Sequence, residues 1–252
     1  FTLVIPHFIM MVVVAVNLNK MKQLLTYVLI LCIWTSTAQK MDHSEWTNIL
    51  QLYVSDAGKV DYKGLLNNRE PLDDYLSNLG RNAPEDHWSM SEKKAYWINA
   101  YNVFTIQLIL NNYPVKSIKK LSDPWGQKFI LIDGEMMSLN TIEHEILRPM
   151  GDSRIHFAIV CASESCPKLS NCAFEAKTLN DQLDQAAHDF INAPSKNILT
   201  TDTIKISKIF KWFKSDFPKG NAFITYLNNY STVTISPQTK IDFLSYNWAL
   251  ND

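Results

Sequence analysis

Tyr96 to Pro114 reads YWINAYNVFTIQLILNNYP, and its apolar side chains fall on nearly every side of a 3.6-residue period instead of on one stripe. A helix of that kind is buried all round, so it belongs at the centre of the fold. Ser89 or Ser91 can cap it, and Asn112-Tyr113-Pro114 stops it. Asn99 and Asn102 interrupt the apolar surface three residues apart, on one face of the helix. Buried amides must find partners, which leaves two readings: a polar network tying loops to the core, or a direct catalytic role.

Downstream, Asp152 to Phe174 reads DSRIHFAIVCASESCPKLSNCAF. Arg154 to Cys161 is a short apolar run led by β-branched and aromatic residues, which predicts a buried strand, and Ala162 to Ser165 is a small polar break. Proline is favoured in the first turn of a helix, so Cys166-Pro167 predicts a helix with Cys166 as its N-cap. A thiol there would feel the positive end of the helix dipole, which favours thiolate. His156 would supply a base. His156 and Cys161 alternate to opposite faces of an ideal strand, so only one of them can point at the loop carrying Cys166.

On the N-terminal side, residues 1–20 precede a plausible start and read as an over-extended N-terminus. Met21-Lys22, the apolar stretch Leu24 to Trp34 and Ser36-Thr37-Ala38 then have the form of a secretory signal over residues 21–38. The apolar stretch is shorter than the ~20 residues of a spanning helix, so cleavage before Gln39 is expected and no transmembrane segment in the mature chain. Residues 39–252 are then a single domain, secreted or periplasmic. A helix from Ser44 to about Val54 places Trp46, Ile49, Leu50 and Tyr53 on one face, and Tyr62 to Leu79 reads as a helical region interrupted near Pro71.

Gln127 to Ile132 and Met136 to Leu139, around Asp133-Gly134-Glu135, predict a β-hairpin. Asn140 is the expected cap of a short helix, Thr141 to Arg148, whose Ile142 and Ile146 face the core and turn Glu143 and His144 to a flank. Thr178 to Asn192 is another helix, and Ile198 to Ser207 holds two short strands. Ser207 is the expected cap of a basic amphipathic helix with Ile209, Phe210, Phe213 and Phe217 on one side and Lys208, Lys211 and Lys214 on the other. That helix is either packed with a wet face or capable of weak contact with an anionic membrane surface. A last helix, Ala222 to Tyr230, and a last strand, Lys240 to Leu244, complete the chain.

The charge balance, 24 Lys plus Arg against 25 Asp plus Glu, gives no basis for nucleic acid as a partner. Cys161, Cys166 and Cys172 remain after the signal, and an odd number in an oxidising compartment leaves at least one unpaired within the chain. Their spacing does not match the C-x₂-C pairs of zinc sites, and nothing else calls for a metal or cofactor. A disulfide between Cys166 and either Cys161 or Cys172 stands beside the reactive-thiol reading.

HFAIVCASESCPKL, with YWINAYNVFTIQLILNNYPVKSI before it and SKIFKWF and YNWALN after it, resembles the domain-of-unknown-function family 547 over roughly Trp46 to Asn251. The NAYN stretch holding Asn99 and Asn102 is one of that family's signatures, and IEHEIL stands where the family carries the same kind of segment. The resemblance therefore makes His144 the second choice of base and Glu143 an orienting carboxylate. Cys172 falls where the family shows no characteristic cysteine, and Asn247 where it often has aspartate. The family's name carries no biochemistry.

Helices lead, and strands cluster in the second half with helices among them, so the fold class is α+β: helices on a small, mainly antiparallel sheet, papain- or transglutaminase-like in outline. Two functions follow. One is a thiol-dependent acyl-transfer enzyme, a peptidase, amidase or transglutaminase-like activity on a cell-envelope substrate, with Cys166 as nucleophile, His156 as base and Asn99 or Asn102 orienting it. The other is a non-catalytic envelope binding or structural module with inert or paired cysteines.

Overall fold

Ser89 opens the central helix, α4 (Met90–Leu110), through a reciprocal cap: its hydroxyl accepts from the Glu92 N–H, and the Glu92 carboxylate accepts from the Ser89 N–H. From Ala95 to Ile106 every residue of α4 is buried, as its all-round apolar pattern requires. The protein is described by a computed structural model over residues 40–252, with one compact unit spanning Met41–Asp252. The expected over-extended N-terminus and signal segment lie outside the described residues.

Three helices lead up to α4. α1 (Ser44–Tyr53) buries Trp46, Ile49 and Leu50; α2 (Tyr62–Asn67) is capped by Asp61, whose carboxylate accepts from the Gly64 N–H. The helical region breaks at residues 68–69, as expected near Pro71, and α3 (Glu70–Arg81) restarts it with Pro71 in its first turn. The hairpin follows, β1 (Ile130–Ile132) antiparallel to β2 (Glu135–Met137), turning through Asp133 and Gly134 at φ 50° and 77°. It rests on α3 through Asp133 N–H to the Gly80 carbonyl, and on α4 through the edge-on rings of Phe104 and Phe129.

A second apolar cluster gathers around Phe157, Phe190, Phe210 and Phe217. It is enclosed by α5 (Leu179–Asn192), α6 (Ile209–Trp212), α7 (Asn221–Asn228) and a three-stranded sheet of order β3-β4-β5. β3 (Ile198–Leu199) pairs antiparallel with β4 (Thr203–Ile206), which buries Ile204 and Ile206. β5 (Lys240–Phe243) pairs with β4 in parallel, so the fold is α+β with small antiparallel and mixed sheets.

Several local expectations change. Arg154 to Cys161 is not a strand: Ser153–Phe157 is a 3₁₀ turn, started by the Asp152 carboxylate accepting from the Arg154 N–H, and the residues after it are irregular. A short apolar run buried on all sides has no periodicity to separate strand from turn, and side chains from α4 take the backbone bonds a sheet neighbour would have made. No helix begins at Pro167. Cys166 N–H instead closes a turn on the Ser163 carbonyl, so the dipole argument for a thiolate has no helix to rest on. Thr141–Leu147 is π-helical, with Ser138 instead of Asn140 accepting from the Thr141 N–H. The expected basic amphipathic helix is only the four residues of α6; Ile209, Phe210 and Phe217 are buried, and Lys211 lies over the Phe243 ring.

Gly58 ties the first turn of the fold to the cysteine segment. Its φ is +78°, and a Cβ there would lie 2.6 Å from Lys168 Cβ and 2.7 Å from Leu169 N. Gly58→Ala is expected to cost about 1–3 kcal/mol, through positive φ and through displacing Lys168. Thermal unfolding checks this; an unchanged melt would mean that the turn does not press on the cysteine segment.

Candidate functional site

Two asparagines of α4 hold the cysteine segment at both ends. Asn102 donates to the Ala158 carbonyl and accepts from the Val160 N–H, at 2.9 and 3.0 Å; Asn99 donates to the Phe174 carbonyl and accepts from the Phe174 N–H, both at 2.9 Å. Each side chain is buried and replaces a strand edge, using one donor and one acceptor on the backbone. Between these anchors the chain carries Cys161, Cys166 and Cys172. The structure therefore places Asn99 and Asn102 against the loop backbone, and neither hydrogen bond pair includes His156.

Cys161 and Cys166 form a disulfide with Cα atoms 6.2 Å apart; Cys172 is free and half-buried. Closing so short a loop removes little chain entropy, about 2 kcal/mol by loop-length scaling. Cys166 Sγ also receives two hydrogen bonds, from the Cys161 N–H at 2.9 Å and from the Tyr246 hydroxyl at 3.2 Å. Tyr246 in turn accepts from the Ser163 hydroxyl at 3.3 Å, which leaves its own proton for sulfur. Burial pushes the Tyr246 phenol up to about 12, so it remains a donor at neutral pH.

Both sulfurs line a cleft of about 410 Å³ that also admits Glu143, His144 and His156. Its other walls are mostly aromatic: Trp125, Trp212, Phe213, Tyr246 and Trp248, with Trp248 packed on three of the others. Pro167 separates this cleft from a larger hollow of about 640 Å³ behind it, where Cys172 and Lys196 lie. The loop is thus a partition, with its disulfide on the aromatic side.

His156 is buried and stacked on Phe213, with ring centroids 4.0 Å apart. Burial lowers its pKa to about 4, against the opposing pull of Asp216, so the imidazole is neutral at pH 7. Its Nε2 lies 2.8 Å from Asp216 Oδ2. A neutral ring facing a carboxylate donates from that nitrogen, which leaves the lone pair on Nδ1. Arg148 grips the same carboxylate through Nε and Nη2 at 2.6 and 2.7 Å and holds it well below the usual carboxylate range. Arg148 also approaches His144 Nδ1 at 3.1 Å, and burial and that guanidinium lower the pKa of His144, which is otherwise exposed.

Glu143 is the unusual acid. The π-helical segment turns it inward until it is buried, and its carboxylate accepts from the Tyr101 hydroxyl of α4 at 3.0 Å. Burial raises its pKa to about 7, despite that hydrogen bond and Arg148. A carboxyl that is half-protonated at neutral pH can both give and take a proton. Among the described residues, no group of three or more His, Cys, Asp or Glu side chains is placed to hold a metal ion.

Asp216, Arg148, Tyr246 and Tyr101 were not legible as site residues. Asp216 lies 60 positions from His156, and Tyr246 lies 80 from Cys166, so no local spacing links them. The available signals were neighbouring motifs: Tyr101 stands within NAYN, Arg148 follows IEHEIL, Asp216 follows SKIFKWF and Tyr246 opens YNWALN.

Fold and site together define a class: an α+β domain in which a central helix suspends a cysteine-bearing loop beside a His–Asp–Arg cluster and a protonatable glutamate. The family described as Protein of unknown function, DUF547, matches residues 85–191, and over that stretch the chain is similar to it. The match includes α4, Glu143, His144, His156 and the cysteine loop, whereas Asp216 and Tyr246 come from beyond it. No curated protein and no solved structure matches the chain.

Proposed function

We propose that this is a thiol-dependent acyl-transfer enzyme, a peptidase, amidase or transglutaminase-like activity on a cell-envelope substrate, acting from its dithiol form. The observation that carries the reading is the pair of donors aimed at Cys166 Sγ inside the cleft. The Cys161 N–H and the Tyr246 hydroxyl would stabilise a thiolate there without a helix dipole. Cys166 attacks the acyl carbon; neutral His156, held by Asp216, receives the thiol proton; Glu143 in its protonated form supplies one to the leaving group. His144, exposed and drawn to Arg148, is the lesser base. Asn99 and Asn102 keep the loop in place.

The secretory reading of residues 21–38 places this chemistry outside the cytoplasm, in a secreted or periplasmic protein. No helix among the described residues is long and apolar enough to cross a membrane. The second reading, a non-catalytic envelope module, is favoured by the Cys161–Cys166 disulfide itself.

A panel of thioester and activated-ester probes on reduced, folded protein separates the two, with intact mass and peptide mapping as the readout. Acylation is expected on Cys166 and not on Cys172, absent in Cys166→Ala, and slowed at least ~100-fold in His156→Ala and Asp216→Ala, as for a base and its orienting group. If no probe acylates Cys166 while the alanine variants simply melt early, the module reading replaces the enzyme.

A further inference from the structure

A disulfide that staples a fold joins parts that would otherwise separate, and Cys161–Cys166 does not. The residues between and around the two cysteines are pinned without it. Val160 N–H is held by Asn102, Cys166 N–H by the Ser163 carbonyl, Glu164 N–H by Ala249, and Ser165 N–H by Asn247. The Asn247 N–H returns a bond to the Ser165 hydroxyl at 2.8 Å, and the Lys196 ammonium donates to the Glu164 carbonyl. Opening the bond would leave two thiols side by side in a loop that already has its shape.

The two sulfurs are also unequal. Cys161 is half-buried, whereas Cys166 is 5% exposed and is the one that accepts the Cys161 N–H at 2.9 Å; the Tyr246 hydroxyl sits 3.2 Å from Cys166 Sγ and 3.3 Å from Cys161 Sγ, and the Ser163 hydroxyl 3.2 Å from Cys161 Sγ. In thiol–disulfide exchange the leaving sulfur departs as thiolate, and donors already aimed at it favour that departure. The asymmetry assigns the roles: Cys161 is the sulfur to be attacked, and Cys166 the one to leave.

We propose that Cys161–Cys166 is an exchangeable disulfide, the closed state of the thiol site, opened by a small-molecule or protein thiol that attacks Cys161. The incoming thiolate bonds to Cys161 Sγ, the Cys161–Cys166 bond breaks, and its electron pair stays on Cys166 as thiolate under Tyr246. A second thiolate then attacks the external sulfur of the mixed disulfide. It leaves with that sulfur as the oxidised reductant, and Cys161 takes up a proton. Two electrons pass from two external thiols to the protein, and Cys166 is freed for acyl transfer. This second activity rests on the thiol-enzyme reading for its purpose, though not for its chemistry.

The full mature chain is equilibrated over a series of reduced-to-oxidised glutathione ratios, quenched in acid and alkylated, and each cysteine is read by peptide mass. Parallel samples receive the thioester probe. Cys161 and Cys166 are expected to pass together and reversibly between disulfide and dithiol, with a glutathione adduct on Cys161 and not on Cys166 at intermediate ratios. Cys172 follows its own course. The melting temperature should move by only a few degrees, and probe acylation should track the dithiol fraction. Tyr246→Phe is expected to slow opening about tenfold, the value of one hydrogen bond to the leaving thiolate.

A bond that opens only as the protein unfolds, or an adduct trapped on Cys166, overturns the exchange. In that case the acyl-transfer reading is measured separately on Cys161→Ser, where Cys166 has no partner. Reversible opening to a dithiol that no probe acylates overturns the enzyme and leaves the exchange standing.

Discussion

Asn102→Ala is expected to destabilise the protein by about 2–5 kcal/mol, because it strips partners from two buried backbone groups at ~1–3 kcal/mol each. The Ala158 carbonyl and the Val160 N–H both bond to this one side chain, which is 2% exposed and sits in the middle of α4. A domain of this size should then melt on the order of 10 °C lower. The released segment carries Cys161 and Cys166, so alkylation of the reduced protein should become faster and less selective. A purely catalytic asparagine would behave differently, with turnover lost and the melt unchanged. That outcome would move Asn102 from the scaffold to the reacting group.

The second large effect concerns pH and Glu143. Its folded pKa lies at about 7 against the ordinary 4.5, because burial disfavours the carboxylate. Between those values the folded state binds more protons at this site than the unfolded state, so stability falls as pH rises from about 4.5 to 7. Above about 7 the penalty is complete, about 3 kcal/mol at ~1.4 kcal/mol per pH unit. Glutamine keeps an acceptor for the Tyr101 hydroxyl and carries no charge. Glu143→Gln should therefore match the wild type below pH 4.5 and exceed its stability by up to about 3 kcal/mol at pH 8. His43 and His156, whose burial lowers both to about 4, destabilise the fold as pH falls from 6.5 to 4, and they do so equally in both proteins. Denaturant unfolding at pH 4.5, 6 and 8 measures the difference. A gap that does not change with pH would mean that Glu143 is ionised throughout.

If Glu143 also acts in acyl transfer, the stabilised glutamine variant should be the inactive one. Stability would then have been given up at the site for a carboxyl that titrates near neutrality. The same compromise is visible in Tyr101, a fully buried phenol whose hydroxyl serves that carboxylate.

Much of the frame was legible because local chemistry and burial agreed. The candidate cap at Ser89 or Ser91, the all-round apolar α4, the Asp133-Gly134 turn and the family likeness all led to the same elements. The failures came where tertiary partners replaced local ones. Arg154 to Cys161 had the composition of a strand, but Asn102 supplied its backbone bonds and Asp152 started a turn. Pro167 had the look of a helix start, but the chain there lies against Gly58 and the C-terminal segment. The lysine-flanked Phe210 to Phe217 segment had the pattern of a surface helix, yet its phenylalanines close a second core and its end brings Asp216 to His156.

Sequence alone determined the α+β class and the buried central helix, because periodicity and capping are carried by nearby residues. Only the tertiary structure decided which cysteine pairs with Cys166, which carboxylate meets His156, and that Glu143 is buried while its neighbour His144 is exposed. The cysteine pairing spans five positions, whereas the carboxylate contacts of His156 and Glu143 reach across 60 and 42 positions and depend on the exclusion of water by packed rings. A disulfide, an ion pair and a raised pKa are properties of distance and burial, and neither quantity is written in the order of the residues.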